Sequence, residues 1–265
     1  MKVWFSVFAM IALFSSSAHA ESQISLSNFG SFSDEGALQM DTNGWENFSA
    51  DLALVVHPKF GGPAATLGGR GIDFGYQLSV VDVEETSDHW TKAMNRPEDL
   101  LMAHHFYVRK GLPFSIELGG VLTHLQGTNI WAVALELKWA FLEGNKYAPD
   151  FGFRTHVNTL LGNRDMVMIT TGGELLVSKT FGLGGLVQLT PYAGYELNYA
   201  HTRSHVLGLF EDGSLTPRTF ILPSQDVLTH RALLGLRLLA SVVDFGFEAG
   251  LGNVQSYTFK FGINI

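Results

Sequence analysis

The sequence has no cysteine among its 265 residues. A chain without cysteine cannot use disulfides, so burial and hydrogen bonding alone must stabilise its fold. After residue 20 the chain also lacks an uncharged apolar stretch of ~18 residues, which argues against transmembrane helices. Basic residues are scarce, since 17 Lys and Arg stand against 25 Asp and Glu. This acidic balance argues against a nucleic-acid partner, whose binding surface is basic.

The first twenty residues have the layout of a secretory signal peptide. Lys2 supplies a positive charge, residues 3–14 are almost wholly apolar, and Ala18 and Ala20 form a small-x-small processing site. The apolar run is too short to cross a bilayer core as a helix, which needs ~20 residues. We therefore expect residues 1–20 to be removed after Ala20 and residues 21–265 to form one domain.

The strongest pattern in residues 21–265 is period-two alternation, which places successive side chains on opposite faces of a strand. In the last segment, residues 257, 259, 261, 263 and 265 are all aromatic or aliphatic, and the residues between them are polar or glycine. The same pattern predicts eleven strands, at 47–57, 72–80, 100–109, 113–124, 131–141, 151–161, 166–179, 187–199, 226–239, 243–251 and 256–265.

The length of these segments favours a membrane barrel over a soluble sheet. Several run for about 10–14 residues, whereas strands in soluble proteins usually run ~5–6 residues and membrane-spanning strands need ~9–11. The apolar face also ends in aromatic residues, as interface girdles do. These residues are Trp131, Trp139, Phe141, Tyr195, Tyr199 and Tyr257. The sequence predicts an all-β fold, a closed antiparallel transmembrane β-barrel, with a soluble periplasmic β-protein as the alternative.

The lengths of the connections predict the number of strands. The two longest connections, residues 82–99 and 200–225, are separated by six predicted strands and so lie at the same end of the barrel. Bacterial barrels usually have an even strand number, with the longer loops outside. A short additional strand within residues 23–32 brings the number to twelve and puts both loops outside. We expect twelve strands, with ten as the alternative.

These features together resemble bacterial outer-membrane β-barrel proteins in general. The resemblance rests on the signal peptide, the alternating segments and the aromatic terminal strand ending at Ile265, where the class often ends in Phe or Trp. It implies location in the outer membrane, contact with outer-membrane lipid, and insertion by the barrel-assembly machinery through the C-terminal strand. It assigns no subfamily and no functional residue.

The face opposite the apolar one is rich in ionisable residues and glycine and is predicted to line the lumen. The candidate lumen-lining residues are Asp73, Glu117, Glu136, Lys138, Arg154, His156, Glu174, Glu196, Arg231, Arg237, Glu248 and Lys260. Because unpaired charges in a confined interior are costly, most should be paired or hydrated. Two functions follow: a passive channel or transporter for a small polar solute, or a closed barrel that serves the structure of the envelope. Neither requires a cofactor.

The competing hypothesis is an outer-membrane enzyme that hydrolyses lipids. Ser204 with His201 or His205 could supply a nucleophile and a base at the start of a long loop. A polar loop also contains such residues by chance, so a non-enzymatic barrel is the main prediction.

Three local features complete the sequence predictions. Residues 61–63 and 68–70 are rich in glycine and predict turns. Residues 207–222 are unusually apolar for an external loop and could fold inward, cover the barrel mouth or contact a partner. Pro191 lies within a predicted strand and predicts a β-bulge, because proline cannot donate to the sheet.

Overall fold

A computed structural model of the protein describes residues 24–33, 36–83, 87–94, 100–210 and 217–265, so the predicted signal peptide lies outside the described residues. The strands are β1 (Gly30–Phe32), β2 (Leu38–Met40), β3 (Ile72–Asp82), β4 (Leu100–Leu112), β5 (Ile116–Leu125), β6 (Trp131–Leu142), β7 (Asp150–Leu161), β8 (Met166–Ser178), β9 (Phe181–Leu183), β10 (Val187–Ser204), β11 (Leu207–Leu209), β12 (Arg218–Phe220), β13 (Gln225–Ala240), β14 (Val243–Gly252) and β15 (Gln255–Asn264). The helices are a 3-10 turn (Ser27–Phe29), α1 (Thr42–Val55) and α2 (Asp88–Ala93).

Ten of these strands form a closed antiparallel barrel, which confirms the predicted fold class. The order is β3-β4-β5-β6-β7-β8-β10-β13-β14-β15. The last strand pairs with the first, from Gln255 opposite Asp82 to Asn264 opposite Asp73. A closed sheet leaves no free edge, so every strand satisfies its backbone groups through a neighbour.

The wall of the barrel separates apolar from polar side chains as the alternation predicts. On β6, Trp131, Leu135 and Trp139 point outward and are 38%, 71% and 52% exposed, whereas Glu136 and Lys138 point inward and are buried. The other long strands show the same alternation of exposed apolar and buried polar side chains. The outer face is therefore an apolar surface of the kind that contacts lipid in membrane-spanning barrels.

Residues 47–57 do not form the predicted strand, because residues 47–55 belong to helix α1 and residues 56–57 follow its end. Asp41 caps the helix by accepting a hydrogen bond from the Gly44 N–H at 2.9 Å. The fully buried side chains recur at helical spacing: Trp45, Phe48, Leu52 and Val55. The helix has a continuous apolar face, which a strand over the same residues would not have. None of the described helices is long and apolar enough to cross a membrane.

Residues 23–32 likewise add no strand to the barrel. Ser27–Phe29 form a 3-10 turn, and β1 pairs only with β2. The barrel therefore has ten strands, the alternative number, and the two longest connections still lie at one end. We call this end, which carries residues 83–99 and 205–224, the loop end. The other end, with the short connections 113–115 and 241–242, is the turn end.

A compact cap closes the loop end. It comprises residues 24–55, α2 and the segment 207–222 as far as it is described. Its core contains four fully buried rings in mutual contact, those of Phe29, Trp45, Phe48 and Trp90. Inward-facing apolar residues from the rim of the barrel join the same core. Leu207, Phe220 and Leu222 are buried within it, so segment 207–222 covers the mouth.

Pro191 lies in a regular strand without a bulge. Residues 187–189 of β10 pair with β9, and the pairing with β8 starts only at Tyr192. The Pro191 carbonyl accepts from the Lys179 N–H at 3.2 Å. The proline nitrogen faces the same side of β10, in the gap between its pairing with β9 and its pairing with β8. No donor is required there, so the ring is accommodated without distortion.

Candidate functional site

An extended stretch of chain, residues 56–67, passes through the barrel from the cap to the turn end. We call it the lumen segment. Residues 56–64 are all buried, and residues 65–67 are half-buried where they reach the turn end. The segment forms no strand pairing, so its backbone groups need partners from the inner wall. The turn predicted at residues 68–70 is present, but residues 61–63 form no turn and are part of this segment, with Gly61 at a positive φ of 49°.

Directly below the cap, His57 lies fully buried between three strands of the wall. Its Nε2 contacts the Glu196 carboxylate, and its Nδ1 accepts from the Arg231 guanidinium at 3.1 Å. Arg231 also donates to the second oxygen of Glu196. The Asn158 amide donates to the Val56 carbonyl at 3.2 Å. His57 thus joins β10 and β13 through a charged network, and the neighbouring Val56 carbonyl binds β7.

The same network contains the one group of three potential metal ligands among the described residues. Donor atoms of His57, His156 and Glu196 lie within 4.8 Å of one another. Arginine only donates hydrogen bonds, so Nδ1 of His57 must be the accepting nitrogen and Nε2 carries the proton towards Glu196. That tautomer has no lone pair free for a metal ion, and the guanidinium would repel one. The arrangement fits a hydrogen-bonded clamp and does not fit a metal site.

Lower in the lumen, the backbone of the segment is held by charged side chains. Glu248 accepts from the Gly61 N–H at 3.0 Å and from the Tyr192 hydroxyl at 3.0 Å. Arg154 donates to the Gly62 carbonyl at 3.1 Å, and its guanidinium lies 4.1 Å from the centre of the Phe60 ring. Charge-assisted hydrogen bonds of this kind are stronger than neutral ones.

Near the turn end, the contacts continue on β5, β6 and the connection after β6. Lys138 donates to the Ala65 carbonyl at 2.9 Å and pairs with Glu117 at 3.0 Å. Glu117 accepts from the Leu67 N–H at 3.2 Å, and Glu143 accepts from the Thr66 N–H at 2.7 Å. Wall residues at every level from the cap to the turn end therefore bind the segment.

The remaining charges on the inner wall pair mainly with one another. Lys260 bridges Asp73 at 2.7 Å and Asp244 at 2.8 Å, and Asp244 also pairs with Arg237 at 3.0 Å. Arg109 pairs with Glu136. Buried charges need such partners, since an isolated one is strongly unfavourable.

The predicted lumen-lining residues all lie on inward-facing positions, and eleven of the twelve are at most 6% exposed. Arg237, near the turn end, is half-buried. The residues that the sequence analysis missed belong to the lumen segment itself. His57 and Lys59 are fully buried, and the Lys59 ammonium donates to the Leu54 carbonyl at 2.8 Å. No alternation or motif marks them, because their partners are distant in sequence.

The structure separates the proposed hydrolase residues. Ser204 points into the barrel, where its hydroxyl donates to the Leu222 carbonyl at 3.1 Å. His201 points outward, and its Nδ1 contacts Asp226 at 2.6 Å. Side chains on opposite faces of one strand cannot act as nucleophile and base together.

Two solved structures are similar in architecture at low identity. The attachment invasion locus protein Ail of Yersinia pestis matches with a TM-score of 0.30 and 14% identity, over 75% of this chain and 99% of Ail. The outer membrane protein Omp33 of Acinetobacter baumannii matches with a TM-score of 0.31 and 7% identity, over 74% and 98% of the two chains. No protein-family model and no curated protein sequence matches. At these TM-scores the likeness carries no argument, and the barrel assignment rests on the strand pairing itself.

Proposed function

We propose that this protein is a closed outer-membrane barrel that anchors its cap at the outer surface of the membrane, and that it is not an open pore. The observation that carries the proposal is the lumen segment. It occupies the interior, and charged wall residues hold it from below the cap to the turn end. A solute could pass only if the segment moved.

The apolar outer face supports residence in a bilayer, because a closed barrel satisfies every backbone group without water. The orientation follows from the connections, since outer-membrane barrels carry their longer loops outside. The loop end with its cap then faces outward. Residues 36–55 of the cap consequently lie outside, and the lumen segment leads from them to the first barrel strand at the turn end.

Single-channel recording in a planar bilayer tests the closed state. We expect the full chain to show no steady conductance. A variant that lacks residues 24–55 and in which residues 56–67 are replaced by a Gly/Ser sequence of equal length should conduct, because the cap over the mouth and the wall contacts of the segment are both lost. The matched control deletes only residues 24–55 and should stay closed. Steady conductance by the full chain would instead favour the small-solute channel.

Cysteine labelling tests the orientation. Because the chain has no native cysteine, only the introduced cysteine can react. Ser31 is exposed in the cap, and Tyr147 is 90% exposed at the turn end. We expect a membrane-impermeant maleimide to label Ser31→Cys on intact cells and Tyr147→Cys only after permeabilisation. The reverse pattern would refute surface display of the cap.

A further inference from the structure

The outward-facing side chains of β10 change from apolar to basic as the strand approaches the loop end. Leu197 and Tyr199 are exposed on the apolar outer face, and the next outward positions are His201 and Arg203. A tilted strand rises by ~2.5 Å per residue along the barrel axis. Leu189 to Tyr199 therefore covers ~25 Å, the height of the apolar band of an outer-membrane barrel. Arg203 lies just above this band, at the depth of lipid headgroups.

A chain of hydrogen bonds orients the Arg203 guanidinium. Its Nε donates to Nε2 of His201 at 2.9 Å. His201 must then donate through Nδ1 to Asp226 at 2.6 Å, and the Tyr199 hydroxyl donates to the same carboxylate at 2.6 Å. Among the described residues, the two terminal nitrogens of Arg203 have no hydrogen-bond or ion-pair partner. The hydrogen bond from Nε thus fixes the guanidinium plane, and the two terminal nitrogens remain available to donate to a ligand.

A second arginine lies beside it at the same rim. Asn163 and Asp165 turn inward and bind the cap, through the Ile24 carbonyl and the Leu26 N–H. Arg164, between them, is exposed, and His205 donates to its carbonyl at 2.7 Å. Within the described part of the chain, the Arg164 side chain also has no partner. The His205 contact places the Arg164 backbone at the end of β10, beside a residue two positions from Arg203.

We infer that Arg164 and Arg203 form a binding site for the phosphate of an anionic lipid headgroup in the outer leaflet. A planar guanidinium fork matches phosphate oxygens in a bidentate geometry. Asp226 is held by His201 and Tyr199, so the terminal nitrogens of Arg203 stay available to a ligand. Exposed apolar side chains, Ile169 at 48% and Leu228 at 68%, lie opposite His201 and Tyr199, below Arg203 where acyl chains would run. The inference rests on the membrane placement proposed above.

Native mass spectrometry of the full chain in detergent micelles tests the site. The probes are phosphatidylglycerol and diacylglycerol with identical acyl chains, which differ in the anionic phosphate headgroup. We expect the wild type to retain phosphatidylglycerol preferentially. The double variant R164Q/R203Q should bind it about 30-fold more weakly, since each arginine near an anionic lipid contributes a factor of about five. R203K keeps the charge without the fork and should lose affinity several-fold.

Arg70, exposed at the turn end, supplies the matched control, and R70Q should bind phosphatidylglycerol as the wild type does. Equal binding of the two lipids by the wild type, unchanged binding by the double variant, or an equal loss in R70Q would each overturn the inference. A heat-dependent gel shift reports whether each variant is a folded barrel. If the double variant does not fold, the single variants decide by the same criteria. The conductance and labelling results do not depend on these arginines, so failure of this site is distinguishable from failure of the proposed function.

Discussion

Helix α1 of the cap and the lumen segment are adjacent in the chain and both contain fully buried residues, yet different forces hold them. In the cap, the side chains of Trp45, Phe48 and Trp90 pack in an apolar core. In the lumen, the backbone around Gly61 and Gly62 is bound by ionised side chains. Apolar burial is not directional, whereas a buried charge needs a specific partner.

This difference changes what a substitution does. Removal of a cap side chain loses its own burial and leaves a cavity. Removal of a charged side chain from the lumen leaves its partner buried and unpaired, so the barrel wall is destabilised as well. The following experiments separate the two cases.

The largest expected effect is that of Trp45→Ala. It removes a fully buried ring and the Nε1 hydrogen bond to the Pro223 carbonyl at 2.9 Å. We expect the cap to lose about 3–5 kcal/mol and to become sensitive to limited proteolysis while the barrel keeps its heat-dependent gel shift. Trp139→Ala, on the outer face, is the matched control and should leave the cap protected. If the cap of Trp45→Ala stayed resistant to proteolysis, apolar packing would not be what stabilises the cap.

Glu196→Gln tests the lumen network. The change leaves Arg231 buried without its carboxylate and replaces the anionic acceptor for His57 with a neutral amide oxygen. We expect a loss of about 3 kcal/mol in the free energy of unfolding, measured in urea. The double variant Glu196→Gln/Arg231→Met should recover part of this loss, because the unpaired charge is gone. Strictly additive effects would argue against a coupled clamp. Glu46→Gln, exposed on α1, is the control.

Gly235→Ala tests the link between wall and segment. A Cβ at this position would lie 2.0 Å from Cζ of the Tyr192 ring. The ring must move, and its hydroxyl then withdraws from Glu248, which also holds the Gly61 N–H. We expect a loss of about 1–3 kcal/mol and faster amide exchange at Gly61. Gly182→Ala, which meets open space, should change neither.

The smallest effect concerns the charges of the cap. The Lys92 ammonium, at 2.7 Å, and the Gly44 N–H lower the pKa of Asp41. A lowered carboxyl pKa contributes stability above its ordinary value of 3.8, and this stability is lost as the pH falls through the folded pKa. Asp41→Asn keeps the helix cap but loses the ion pair, so we expect the cap to lose about 0.5 kcal/mol. Its protease resistance should depend less on pH below 4 than that of the wild type. An unchanged pH dependence would exclude Asp41 as the responsible group.

The wall of the barrel is the part that could be predicted from sequence. Its strands alternate because lipid and lumen impose opposite polarities, and that pattern is local. Helix α1 was misassigned, although the signal was available: Trp45, Phe48, Leu52 and Val55 recur at helical spacing behind the capping residue Asp41. A period of two can also be drawn through such a short apolar stretch, so the strand prediction was wrong.

The lumen segment had no comparable signal. Its residues 58–64 contain two prolines and two glycines and predict a turn when read locally. Their conformation depends on Glu248, Arg154 and Lys138, which follow many residues later in the chain. Local patterns carry no information about such partners.

The sequence by itself therefore determined a closed barrel with an apolar outside and a charged inside, because alternation is a property of each strand alone. Only the tertiary structure decided what fills that interior. Some of the charges that a sequence reading could assign to a hydrated pore bind residues 56–67 of the same chain, and others pair with one another. Whether a polar lumen conducts depends on what its charges bind, and that is settled by contacts between residues far apart in sequence.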